Sequence, residues 1–374
     1  MKLRIYKAMP VYHNYLRAFC YKHPGLGDMT FNEQLRLHRE DCFQWILSWQ
    51  LYNYDPNVEI FETISNDFLL QNAWAGHRYH CDEEWEKSVV LEQIQAFRPH
   101  ICIVYPPEQY GLDFIGEVRE LIDGVLVGGY DGMNRQKLSV FEGYDFVLTC
   151  SPYISKNFER IGKPTYAMSF GFDKSVLDRI EQKRRKYEVS FSGSIFPDVH
   201  YDRFELINYV QKKVDLTISS EFAHVLKGKI APKRAVRQLS ALKMKDWMGF
   251  LKMSTHNIGP YYGLDMFQFL SDSAITINVH GDTIGFAANI RLYEATGVGT
   301  CLVTDWKDNL GDLFVPDKEV LVYRSKEEAV DKIKFALGHP DYLKRISENG
   351  QKRTLSNYSY EQIVPSVISF MKGL

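Results

Sequence analysis

Residues 275–305 read ITINVHGDTIGFAANIRLYEATGVGTCLVTD, and this stretch concentrates side chains suited to holding an anion. Gly281, Asp282, Thr283, Gly285 and Asn289 follow an apolar run, with Arg291 and Glu294 one turn further along. Glycines let backbone N–H groups come close to a phosphate, a guanidinium neutralises its charge, and a carboxylate accepts hydrogen bonds from a diol. The plainer reading of Arg291 and Glu294 is an ion pair three apart on one helix, worth about 0.2–0.5 kcal/mol. His280, at the end of the apolar run, either hydrogen-bonds a diphosphate or satisfies neighbouring backbone.

Other candidates are spread along the chain. Asp131 in the run VGGYDG stands beside glycines at a strand end, the place for a catalytic base or a partner to an acceptor hydroxyl, or for an ordinary turn aspartate. His13 lies in a loop past the first strand and is either a surface residue or a contact to an acceptor, acting as a base. Between Asn66 and Cys81, Trp74, His77, Tyr79 and His80 form an aromatic, irregular segment without metal-ligand spacing.

These residues need strands that end beside them. The alternating β-branched run up to Val279 predicts a strand, 287–296 a helix closed by Gly297 and Gly299, and 301–304 a second strand ending at Asp305. That is one βαβ unit of a parallel sheet, and ligands of such sheets lie beyond the carboxyl ends of the strands. Upstream, strands are predicted at 2–7, 58–64, 101–105, 125–130, 146–150 and 165–170, alternating with helices that include one over 31–54. This regular alternation predicts a doubly wound parallel sheet. A charged run over 178–186 marks a solvated linker, after which 187–193 restarts the pattern and ends in the small residues Gly193 and Ser194.

Length and composition agree with two domains. The chain has 374 residues, long for one core, and a formal charge of −2 gives no pull toward nucleic acid. The cysteines, Cys20, Cys42, Cys81, Cys102, Cys150 and Cys301, are scattered and read as reduced thiols. The first residues lack the apolar core of a signal peptide, and no run is long enough to span a bilayer, so a cytoplasmic location is expected. Within 227–252, lysines and arginines alternate with Val236, Leu239, Leu242, Trp247 and Phe250. Three readings compete for it: a solvated face over a buried one, which is favoured; an amphipathic helix making peripheral contact with the inner face of a membrane; and a clamp on a phosphorylated substrate.

The run NIRLYEATGVGTCLVTD, then Leu313-Phe314, Glu319 and Tyr323, resembles the C-terminal half of glycosyltransferases in the spore-maturation-protein-like group. Ile346 to Arg353, with Tyr358 to Tyr360 behind them, is similar to the closing helix of that group. The resemblance covers roughly residues 187–365 and extends more distantly to the family 4-type nucleotide-sugar transferases. It implies the GT-B fold: two Rossmann-like doubly wound α/β domains facing a central cleft, with a C-terminal helix crossing back. On that plan 1–173 is an acceptor-binding domain, 174–186 a linker, 187–355 the nucleotide-sugar donor domain, and 356–374 the closing helix on the N-domain.

The resemblance also implies roles. Gly193 and Ser194 would lie near the donor diphosphate, Tyr262 near the base, and Glu294 on the ribose, since Glu294-Ala295-Thr296-Gly297 fits the second glutamate of an E-x7-E pattern. Phe286 stands where the first glutamate would be, so retention or inversion stays open. Arg291 and Asn289 are the polar groups nearby, and an arginine facing a leaving diphosphate needs no metal. The implied activity is metal-independent hexosyl or deoxyhexosyl transfer from a nucleotide-diphosphate sugar, as co-substrate and without a further cofactor, to a carbohydrate or lipid-linked acceptor in polysaccharide biosynthesis. A nucleotide-sugar epimerase of the same fold and a non-catalytic nucleotide- or carbohydrate-binding module are the alternatives.

Overall fold

The computed structural model describes residues 2–374 apart from 44, 82–83, 134, 136, 182–184, 222–231, 244–245 and 282–284. The chain forms two units, one of Met1–Asp173 with Tyr360–Leu374, the other of Lys174–Ser359. In the first, β1 (Leu3–Met9), β2 (Val58–Ile64), β3 (Ile101–Val104), β4 (Leu126–Asp131), β5 (Phe146–Thr149) and β6 (Thr165–Ala167) pair in the order β2-β1-β3-β4-β5-β6. Every pairing is parallel. Strands such as β3 and β5 are buried at every position, as parallel strands covered on both faces by helices must be. Because β1 lies between β2 and β3, the winding direction reverses there, which opens a crevice at the carboxyl edge of the sheet.

The pattern over 31–54 predicts one helix, but the helix spans Phe31–Glu40 and the described residues of 41–52 run mostly as turns, with Cys42 at φ 54°. The cause is Lys7, a fully buried lysine on β1. Its Nζ lies 2.8 Å from Glu62 Oε1 and donates to the Trp45 carbonyl at 3.3 Å, under the rings of Trp45 and Trp49. A continuing helix would commit that carbonyl to its own ladder. The backbone N–H groups of Trp49 and Gln50 instead donate to the Glu62 carboxylate at 3.0 and 2.7 Å. Burial lowers the Lys7 ammonium to about 8, against the opposing pull of Glu62.

The segment after Asn66 is also more regular than its composition predicts. Asp67 accepts from the N–H groups of Leu69 and Leu70 and starts a helix over Phe68–Trp74. Its other oxygen meets His38 Nε2 at 2.8 Å. The first unit is completed by the helix Tyr360–Lys372, where the Phe370 ring lies 5.9 Å from Phe146 and 5.2 Å from Tyr166, and Lys372 pairs with Asp55.

In the second unit, β7 (Tyr187–Ser192), β8 (Leu216–Ser219), β9 (Ser273–Asn278), β10 (Cys301–Asp305) and β11 (Leu321–Tyr323) form a parallel sheet in the order β11-β10-β9-β7-β8. Here the reversal falls between β7 and β9. Val189, Phe191, Ile275, Ile277 and Val303 carry the core of this unit from its central strands, joined by Ile218 from the edge strand β8.

Glu62→Ala should be among the most destabilising substitutions in the first unit. It leaves the Lys7 charge buried without a carboxylate and orphans two backbone N–H groups, a loss of about 3–5 kcal/mol. Urea unfolding should show a large drop in midpoint; a change within about 0.5 kcal/mol would mean that neither the Lys7 charge nor the two N–H groups depends on this carboxylate.

Candidate functional site

The reversal between β7 and β9 sets side by side the two loops that leave those strands. Gly193, just past β7, has φ 154°, and a Cβ there would lie 3.3 Å from the Phe191 ring, so a side chain is disfavoured. Its N–H donates to the Ser219 carbonyl at 3.1 Å. Arg203, in the helix Tyr201–Val210, donates to the Ser194 carbonyl at 2.9 Å and to the Val279 carbonyl at 3.0 Å. One guanidinium therefore ties the loop after β7 to the end of β9.

At the end of β9, Asn278 donates to Thr304 Oγ1 at 2.9 Å and accepts from Asn289 Nδ2 at 2.6 Å, and its carbonyl accepts from the Tyr323 hydroxyl at 3.0 Å. His280 follows, buried, with Nδ1 2.6 Å from Asp305 Oδ1 and its backbone N–H donating to the same oxygen at 3.0 Å. Burial would raise the Asp305 carboxyl, but the hydrogen bonds and charge of His280 outweigh it and hold it below the usual carboxylate range.

The helix predicted over 287–296 spans Arg291–Gly297 and so begins four residues late. Asn309 is the reason. Its side chain accepts from the Ala287 N–H at 2.7 Å and donates to the Ala287 carbonyl at 2.9 Å, so the carbonyl that a first helical turn would use is already taken. Phe286, Ala287 and Ala288 are buried by this arrangement, and Asn289 is half-buried ahead of the helix rather than in its first turn.

Arg291 and Glu294 form the expected pair, but buried rather than on the surface: Nη1 lies 2.9 Å from Oε2, with side chains 15% and 5% exposed. Arg291 also reaches Ser192 Oγ at 3.4 Å, which ties the helix to the end of β7. Glu294 Oε2 receives charge from this contact without an aligned hydrogen bond. His280 Nε2 and Asn289 Oδ1 are likewise buried and have no hydrogen-bond partner among the described residues. Three buried polar atoms in one strand-loop-helix unit thus lack a hydrogen bond among the described residues, where native interiors leave few.

Of the other sequence candidates in this unit, Gly281 ends the described part of the loop, and Thr283 lies outside the described residues, as does Asp282. Tyr262 immediately precedes the helix Gly263–Ser271 and donates to Glu221 Oε1 at 2.7 Å. Sequence reading missed Arg203, Asn309 and the role of Asp305. An arginine in the first turn of a helix, against the helix dipole, is the one signal that marks Arg203. A cavity of about 310 Å³ among Arg185, Ala274, Leu343 and Ser347 adjoins the start of β9 and does not include these groups.

In the first unit Asp131 is the last residue of β4 and is 1% exposed. Its Oδ1 accepts from the Met133 N–H and from Arg135 Nε, both at 3.1 Å, while Oδ2 is buried without a hydrogen-bond partner among the described residues. Burial raises this carboxyl above its ordinary value, and the bonds from Met133 and Arg135 offset that only in part. Arg135 also pairs with Glu108. His13 is exposed and opens the helix His13–Lys22, so it does not lie in the predicted loop. It leaves the same carboxyl edge of the sheet as Asp131, from β1, with β3 intervening.

The basic segment falls partly on residues outside the described set. Where it is described, the helix Trp247–Thr255 buries Gly249, Phe250 and Met253 and exposes Trp247, Met248 and Leu251.

A family model described as glycosyl transferase-like matches residues 221–369. No curated protein sequence matches the chain. Among solved structures, the Anabaena protein HepE in complex with UDP is similar over 100% of both chains, at TM-score 0.63 and 9% identity. Sucrose-phosphate synthase from Thermosynechococcus elongatus is similar over 100% of this chain and 99% of that one, at TM-score 0.57 and 10% identity. A putative UDP-N-acetylglucosamine 2-epimerase from Listeria monocytogenes follows at TM-score 0.50 and 10% identity, over 100% and 96%. At such identities the likeness is one of fold, and that fold, two parallel-sheet α/β domains, is the one shared by GT-B glycosyltransferases.

Glu294→Gln separates the cost of this site from its use. Burial raises the Glu294 carboxyl, with Arg291 opposing. A carboxyl raised on folding stabilises the protein fully below its unfolded value and loses that contribution as pH rises through the folded value. The glutamine variant should therefore melt above the parent at neutral pH, with the gap closing as the pH falls toward the ordinary glutamate value. An equal or lower melting temperature at neutral pH would mean that Arg291 outweighs burial.

Proposed function

We propose that this protein is a glycosyltransferase of the spore-maturation-protein-like group, moving a hexosyl or deoxyhexosyl unit from a nucleotide-diphosphate sugar to a saccharide, lipid-linked or other glycoconjugate acceptor in surface polysaccharide biosynthesis. The observation that carries this reading is the set of buried polar atoms at the β7–β9 reversal that lack a hydrogen bond among the described residues: His280 Nε2, Asn289 Oδ1 and Glu294 Oε2, the last held by the ion pair with Arg291. Native interiors seldom leave such atoms without a hydrogen-bond partner. Glu294 can accept from ribose hydroxyls, and His280 and the Asn289 amide N–H can donate to phosphate; the glycosyl transferase-like family match, over 221–369, includes all three. That HepE was solved with UDP makes a uridine donor the first to try.

In this reading the second unit takes the donor. Its phosphates lie along Gly193, Ser194, Gly281, Thr283 and Asn289, the ribose on Glu294 and the base on Tyr262. As the bond to the anomeric carbon breaks, negative charge gathers on the departing diphosphate, and Arg291 neutralises it without a metal. Asp131, in the first, acceptor-binding unit, takes the proton of the attacking hydroxyl. The burial that raises its carboxyl brings a base nearer to working pH. His13, exposed at the same sheet edge, contacts the acceptor.

The lipid-linked version of the acceptor draws support from the helix Trp247–Thr255, whose exposed Trp247, Met248 and Leu251 suit a bilayer interface. Residues 232–255 carry six lysines and arginines against a single acid, the buried Asp246. Sedimentation with vesicles containing anionic lipid should retain the parent protein, and Met248→Ser with Leu251→Ser should release it. Equal recovery of both in the supernatant would remove the membrane from this reading.

A thermal-shift screen with nucleotides and nucleotide sugars tests the donor site. A ligand at one hundred times its Kd stabilises by about 2.7 kcal/mol. At least one nucleoside diphosphate should raise the melting temperature, and Glu294→Ala should shrink the rise. An unchanged rise would remove Glu294 from the site, and no rise with any nucleotide would overturn the donor reading. Turnover of a bound donor without acceptor would mark an epimerase instead.

A further inference from the structure

We infer that Asp305 is a positioning residue that makes His280 a proton-coupled clamp on donor phosphate: it fixes hydrogen on Nδ1 and steadies a proton, taken from solvent, on Nε2. The inference rests on the donor reading above. Asp305 Oδ1 receives both the His280 backbone N–H at 3.0 Å and ring Nδ1 at 2.6 Å. An ionised carboxylate only accepts, so Nδ1 must carry hydrogen, and Nε2 is then the nitrogen whose protonation varies. Nε2 is buried, with no hydrogen-bond partner among the described residues. A neutral ring would turn a bare lone pair toward phosphate oxygens that offer no hydrogen in return. A protonated ring donates to them, and Asp305 compensates the charge behind it.

The charged and titratable groups around the ring come from three directions. Asp305 and Lys307, whose Nζ is 3.5 Å from Asp305 Oδ2, belong to β10 and the loop after it. Tyr323 on β11 donates to the Asn278 carbonyl, and burial keeps its hydroxyl protonated far above neutral pH. Arg203 holds the Val279 carbonyl and stays charged throughout.

The test uses UDP-glucose, GDP-mannose and dTDP-glucose, whose diester phosphates do not titrate near neutral pH, so that any pH dependence belongs to the protein. Calorimetry of the intact protein between about pH 6 and 8.5 should show affinity falling with pH, by up to about tenfold per unit above the midpoint, with proton uptake on binding. Asp305→Asn still accepts the Nδ1 hydrogen but lacks the charge. Its midpoint should move to lower pH, with affinity recovered at the acid end. His280→Gln should bind weakly with a flat profile. A flat profile for the parent, or an unmoved midpoint in Asp305→Asn, would overturn this inference while leaving the donor site standing. Failure of all three probes to bind would overturn both.

Discussion

The guanidinium of Arg203 is the contact on which the second unit's site depends. Parallel strands hydrogen-bond their neighbours only along their length, so the loops that leave β7 and β9 have no ladder to hold them. Arg203 supplies a brace by donating to the Ser194 and Val279 carbonyls from a rigid fork. With those backbones fixed, Gly193 and His280 hold defined positions. Asn278 then anchors Asn289, and Arg291 links its helix back to Ser192. Arg203 to Val279 and Arg291 to Ser192 join segments 76 and 99 residues apart, and both presuppose that the strand ends are already in register.

What was legible in the sequence follows from the range of the forces involved. Parallel strands buried on both faces are continuous apolar runs, so the strands and their alternation with helices can be read locally, and the end of β4 at Asp131 or of β9 near His280 follows from where the apolar run stops. Helix limits set by distant partners cannot be read this way. The helix predicted over 31–54 ends at Glu40 because Lys7 and Glu62 claim the backbone of the next turns. The helix predicted from 287 begins at Arg291 because Asn309, 22 residues on, claims Ala287. The partnership of His280 with Asp305 spans 25 residues and left no local trace.

The two units also spend stability in the same manner. Asp131 in one, and His280, Asn289 and Glu294 in the other, are buried polar groups with an atom left without a hydrogen bond, each a cost on the order of 1–3 kcal/mol in a fold of marginal stability. Burial pushes both the Asp131 and Glu294 carboxyls upward, so the same desolvation that costs stability also sets their chemistry. The Lys7 ammonium is more fully satisfied than these: it has a carboxylate, a carbonyl and two aromatic faces.

The helix Tyr360–Lys372 belongs to the first unit although it follows the whole of the second. Through Phe370 it covers the edge of the sheet at β5 and β6. On the ribosome, the sheet of residues 1–173 emerges early but has bare apolar surface at that edge, whereas 174–359 is contiguous and has its core complete before the last helix appears. The later-made unit is therefore the first that can finish folding, and the earlier one must wait, partly uncovered and in need of protection, for the chain to come back to it.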